Sequence, residues 1–89
     1  MDTRTIIGRN LRSLRVAKGL SQERLALESG IDRAYVGRVE RGSENVTVST
    51  LEAFAKALDV RVSALFRDID PDEPAPAPLK AGRKVRSSN

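Results

Sequence analysis

Cysteine and histidine are both missing from this chain of 89 residues. Without cysteine there is no disulfide framework and no thiolate chemistry, a usage that fits a reducing cytosol. Without histidine the common zinc ligand sets are excluded as well. No paired acidic constellation at a workable spacing replaces them, so acid-base and nucleophilic catalysis have no carrier, and neither an enzyme nor a bound metal or cofactor is expected. Nowhere do about 18 consecutive apolar residues occur, and the opening MDTRTIIGRN holds no long apolar run. Membrane span and signal peptide are therefore not expected, and the reading is a soluble, cytoplasmic protein.

What is present is positive charge, unevenly placed. Sixteen Lys and Arg against twelve Asp and Glu leave a net charge of +4. Arg4, Arg9, Arg12, Arg15, Lys18 and Arg24 are opposed between residues 4 and 24 only by Glu23. Such a run is either a solvated helix surface or a face suited to a polyanion such as DNA. The length allows one domain. A domain this small buries only about 60% of the surface its unfolded chain exposes, so a partner subunit would help to stabilise it.

Hydrophobic spacing and capping residues divide the chain into helices. Ile7, Leu11 and Leu14 line one face of a helix over residues 4–18, ended by Gly19. Ser21 is a natural N-cap for a second helix reaching about Ser29, with Glu23 in its first turn. Gly30 supplies a left-handed C-terminal cap and Asp32 caps the next helix, so about three residues join the two. The third helix, 33–41, offers Val36 and Val39 to the core, where Leu25, Ala26 and Ile31 can meet them, and Gly42 stops it. Thr47 caps a fourth helix carrying Leu51, Phe54, Ala55 and Leu58, and residues 62–66 read as one last short turn of helix.

The expected fold is all-α, a five-helix unit with Ile7, Leu11, Leu14, Leu20, Leu25, Ala26, Val36, Val39, Leu51, Phe54, Ala55, Leu58 and Leu65 in its core. From Asp70 the composition turns to PDEPAPAP and then LKAGRKVRSSN, with four prolines favouring an extended path. Residues 1–68 are thus expected to form the domain and 69–89 a disordered tail. Lys80, Arg83, Lys84 and Arg86 in that tail either touch DNA phosphates or simply solubilise the end.

Two helices joined by a short turn, with GLSQERLALESGIDRAYVGRVERG across them and TLEAFAKALDV after them, resemble the Cro and phage-repressor family of helix-turn-helix regulators, the XRE family. The resemblance runs from about Ile7 to Phe66. Within the family, IDRAYVGRVERGSENVTVSTLE looks most like the controller proteins of restriction-modification systems, dimers that regulate their own gene and the endonuclease gene. Glu44 stands where those proteins commonly carry a basic residue, and the proline-rich tail is not theirs. The resemblance implies a homodimer that binds a roughly palindromic operator in double-stranded DNA as a transcriptional regulator. An antitoxin that binds a toxin protein through the tail, and a protein-interaction module that does not read DNA, are the alternatives.

In this fold the third helix lies in the major groove and the second crosses the backbone. Arg33, in the first turn of the third helix, either donates two hydrogen bonds to guanine O6 and N7 or meets a phosphate or solvent, and the resemblance favours base reading. Ala34 either meets a thymine methyl or is simply a good helix former. Tyr35 either bonds a phosphate or packs half-buried, and Arg38 is placed for a phosphate or base contact. Gly37 costs a helix interior about 1 kcal/mol relative to Ala, which close approach to DNA or to another helix would offset. Gln22 resembles the family glutamine that holds backbone phosphate. Ser43 and Asn45 are phosphate contacts or ordinary turn residues, and Glu44 between them would repel phosphate. Arg15 and Glu40 are implied to pair, tying the first helix to the third. The dimer interface is expected around Val60, Val62, Leu65 and Phe66.

Overall fold

The structure, a computed structural model, describes residues 1–75. Four α-helices, α1 (Thr3–Ala17), α2 (Gln22–Ser29), α3 (Arg33–Glu40) and α4 (Val48–Leu58), precede a 3-10 helix at Val62–Phe66, and there is no strand among the described residues. No helix among them is long and apolar enough to cross a membrane. The fifth helix expected from sequence is thus a 3-10 turn. The basic residues of the tail, Lys80, Arg83, Lys84 and Arg86, lie outside the described residues.

Each of the four α-helices begins at a side-chain cap, because the first backbone N–H groups of a helix have no partner within it. Ser21, Asp32 and Thr47 cap α2, α3 and α4 as their positions predicted. Asp2, which the spacing of apolar residues did not single out, caps α1 by accepting from the Thr5 backbone N–H at 2.9 Å. That hydrogen bond, with a second from the Thr5 side chain, holds the Asp2 carboxyl below its ordinary range.

The apolar stripes of the helices meet in one core. Leu11, Leu25, Val36, Phe54, Leu58 and Leu65 are wholly enclosed, with Ile7, Ala26, Val39, Leu51 and Ala55 nearly so. Leu14 and Leu20 only border this core. The 3-10 turn explains where its residues fall: at three residues per turn, positions i and i+3 eclipse. Val62 and Leu65 therefore share the inward side. Leu65 is fully buried within the protomer and has no surface left for a partner, whereas Phe66 comes round to the outside at 44% exposure.

Two polar devices set how α1 meets the rest. Asn10, 1% exposed, donates from Nδ2 to the carbonyls of Leu65 and Arg67 at 3.1 and 2.9 Å, fastening α1 to the end of the 3-10 turn. Gly8 lets the end of α3 approach α1 closely: a Cβ there would lie 2.8 Å from the Glu40 carbonyl oxygen and closer still to that of Val39. Contacts also continue beyond residue 68. Arg9 donates to the Glu73 carbonyl at 2.8 Å and Arg67 pairs with the Glu73 carboxylate at 3.3 Å, so the first residues of the expected tail lie against α1.

Candidate nucleic-acid interface

The turn between α2 and α3 is built by its residues in order. Gly30 ends α2 in the left-handed conformation, φ 74°, which glycine adopts without a Cβ clash. The Ile31 N–H then returns to the Ala26 carbonyl at 3.1 Å, and the Asp32 carboxylate accepts from the N–H groups of Ala34 and Tyr35 at 3.0 and 3.3 Å. With the chain reversed in three residues, Leu25 and Ala26 of α2 face Val36 and Val39 of α3 in the core. The other side of α3 is turned outward.

The inward edge of α3 is locked by charge. Glu40 accepts from Arg15 Nε at 2.6 Å and Nη2 at 3.1 Å, and the remaining Arg15 nitrogen, Nη1, donates to the Leu20 carbonyl at 2.8 Å. Gln22 Nε2 donates to Glu40 Oε1 at 3.0 Å. The pairing implied for Arg15 and Glu40 is therefore present, and Gln22 belongs to it. An amide carries two N–H donors, so one remains on Nε2 for another acceptor. Gly37 is buried beneath this cluster: a Cβ would meet Arg41 Nη1 at 3.3 Å and Gln22 Oε1 at 3.7 Å. The atoms nearest Gly37 are therefore the ends of two side chains, Arg41 and Gln22.

On the outward edge the expected residues fall into distinct situations. Arg33 and Ala34 are exposed, and among the described residues Arg33 makes no side-chain hydrogen bond or ion pair. Tyr35 is half-buried, with the Arg38 guanidinium 5.6 Å from its ring centroid. Arg38 Nε donates to Glu44 Oε2 at 2.5 Å. Ser43 Oγ donates to the Arg38 carbonyl at 3.0 Å, the geometry of a turn residue, and Asn45 is exposed beside it. An open hollow of about 320 Å³ runs along this flank, lined by Gly30, Ile31, Asp32, Tyr35, Arg38 and Thr50.

Two features of this face escaped the sequence reading. Arg41, exposed at the end of α3, lays its guanidinium back over Gly37 next to Gln22 and adds a cation to the edge. Its spacing of four from Gly37 was the available signal. Glu44, whose charge alone reads as repulsive to phosphate, is committed to Arg38. Val60 and Val62 border the core and Phe66 is exposed, in a segment remote in sequence from the α2–α3 unit.

Two capped helices joined by a three-residue turn, the second held from behind by a buried ion pair and open on its other side, make the arrangement of a helix-turn-helix DNA-binding regulator. The family described as Helix-turn-helix (HTH_3) matches residues 11–65, and the chain belongs to this XRE-type family of transcription regulators. Its relatives include control protein C.SmaI of Serratia marcescens, 51% identical over 66 residues that cover 74% of this chain and 79% of that protein. The solved restriction-modification controller protein C.AhdI from Aeromonas hydrophila is 52% identical, covers 71% of this chain and 96% of its own, and superposes with a TM-score of 0.69. A hypothetical transcription factor from Neisseria is 44% identical, with coverages of 74% and 76% and a TM-score of 0.72.

Proposed function

We propose that the protein is a sequence-specific regulator that binds a roughly palindromic operator as a homodimer, in the manner of a restriction-modification controller that governs its own gene. The observation that carries this reading is the division of α3. Its inward edge is bound to α1 through Arg15 and Glu40, while Arg33 stands exposed at its N-terminus, where this fold brings side chains to base edges. Gln22, with its second amide hydrogen, and Arg41 fit the role of backbone contacts that fix the register of the helix. Ser43 and Asn45 flank the phosphate path at the end of α3, and Ala34 leaves that surface low. The similarity to C.SmaI and C.AhdI supports the controller assignment.

A symmetric pair needs a surface away from α3, and Val60, Val62 and Phe66 supply apolar area there, with Phe66 as its exposed centre. Two copies would set their α3 helices about 34–36 Å apart, one turn of DNA. Selection of bound duplexes from random DNA tests the reading: a two-fold symmetric site with that spacing is the expected result. No binding to any duplex at low salt would overturn it, because the phosphate attraction is then at its strongest. A monomer by sedimentation at high concentration would remove the dimer.

A further inference from the structure

Arg38 is held from two sides, and Glu44 is one of the holders. The loop that carries Glu44 is fixed to the end of α3: Gly42 takes φ 77°, its N–H returns to the Val39 carbonyl, and the Ser43 N–H returns to the Arg38 carbonyl at 3.0 Å. This is a Schellman closure, and it places Glu44 beside the side chain of Arg38 in place of open solvent. The Glu44 side chain is 25% exposed and its Oε2 accepts from Arg38 Nε, while the guanidinium carbon lies over the Tyr35 ring, 5.6 Å from its centroid.

A guanidinium has a fixed fork of five N–H donors. With Nε given to Glu44, Nη1 and Nη2 have no hydrogen-bond partner among the described residues, which leaves the edge they form for another acceptor pair. That edge matches O6 and N7 of guanine. An arginine already fixed by a carboxylate and an aromatic ring loses less conformational freedom when it meets a base. The carboxylate also cancels its charge, so the pair attracts phosphate weakly.

We propose that Glu44 is a positioning residue that aims Arg38 at one guanine in each half-site, making the Arg38–Glu44 pair a determinant of specificity in place of a phosphate contact. The inference rests on the reading that α3 enters the major groove.

The test compares the full-length protein with Glu44→Ala, Glu44→Gln, Arg38→Ala and the double variant, by selection from random duplexes and by competition between the selected site and random DNA. Glu44→Ala is expected to lower the ratio of specific to random binding roughly tenfold, losing preference at the same guanine position that Arg38→Ala flattens. Glu44→Gln, which keeps an acceptor for Nε, should restore part of that preference, and Glu44→Ala should add nothing once Arg38 is Ala. If Glu44→Ala keeps the guanine preference and binds all duplexes more tightly, Glu44 merely repels phosphate and the proposal fails while the regulator reading stands. If the unmodified protein enriches no sequence, both fall together.

Discussion

α3 contributes one residue to each of two Arg–Glu pairs, and the two pairs do opposite work. In the inner pair the Arg15 and Glu40 side chains are 7% and 3% exposed, and they meet through two hydrogen bonds with Gln22 and the Leu20 carbonyl completing the set. In the outer pair Arg38 and Glu44 are 43% and 25% exposed and meet through one. Burial makes the inner pair costly to form and costlier to break, since removal of one partner leaves a charge without water or counter-charge. The outer pair is bathed by solvent and contributes little to folding. One edge of the helix thus serves orientation, and the other can be given over to recognition.

Breaking the inner pair should have the largest effect. Glu40→Ala leaves Arg15 buried and unmatched and is expected to cost about 3–5 kcal/mol in chemical denaturation. The Arg15→Met/Glu40→Leu double replacement should lose much less, because no charge is left stranded. A double variant as unstable as Glu40→Ala would show that the pair contributes through its shape and not its charge. Gly8→Ala attacks the same junction sterically. The added methyl meets backbone carbonyls that no rotamer change can move, so a loss of about 1–3 kcal/mol is expected, measured in the same way.

Substitutions on the proposed DNA face should change DNA binding, and those that do not touch the inner pair should leave folding intact. Arg33→Ala is expected to remove about 1–3 kcal/mol of discrimination between operator and random duplex with unchanged denaturation. Gln22→Ala should weaken binding to all duplexes alike, as loss of a phosphate contact does, and also reduce stability by about 1 kcal/mol, because it removes a donor from Glu40. Equal losses on operator and random DNA for Arg33→Ala would take base reading away from it.

Most of the scaffold was legible from local rules. Ser21, Asp32 and Thr47 as caps, Gly30 as a left-handed terminator, and the apolar spacing of α1 and α4 are each decided within a turn or two of chain. What was not legible depends on residues far apart. Asn10 reads as surface by composition, and only the return of the chain at Leu65 gives it two carbonyls to bond, 55 and 57 residues away. Gly8 looks like a weak point in a helix until α3 comes against it. Leu65 shows the limit of pattern alone: it fitted both the core and a partner surface, and the three-residue period of the 3-10 turn assigned it to the core. On α3 the identities of Arg33, Tyr35 and Arg38 were readable, but the engagement of Arg38 by Glu44 required the closure at Gly42.

The smallest effect is the one that separates the two pairs most cleanly. A double-mutant cycle on Arg38 and Glu44, read by denaturation, should give a coupling below about 1 kcal/mol that shrinks as salt is raised, since solvent and ions reach both groups. The same cycle on Arg15 and Glu40 should give a larger coupling that salt scarcely alters, because the counter-ions are excluded from a pair this deeply enclosed. If the outer coupling proved large and insensitive to salt, Arg38 and Glu44 would be part of the framework that holds α3, and the division of the helix into a structural edge and a recognition edge would fall.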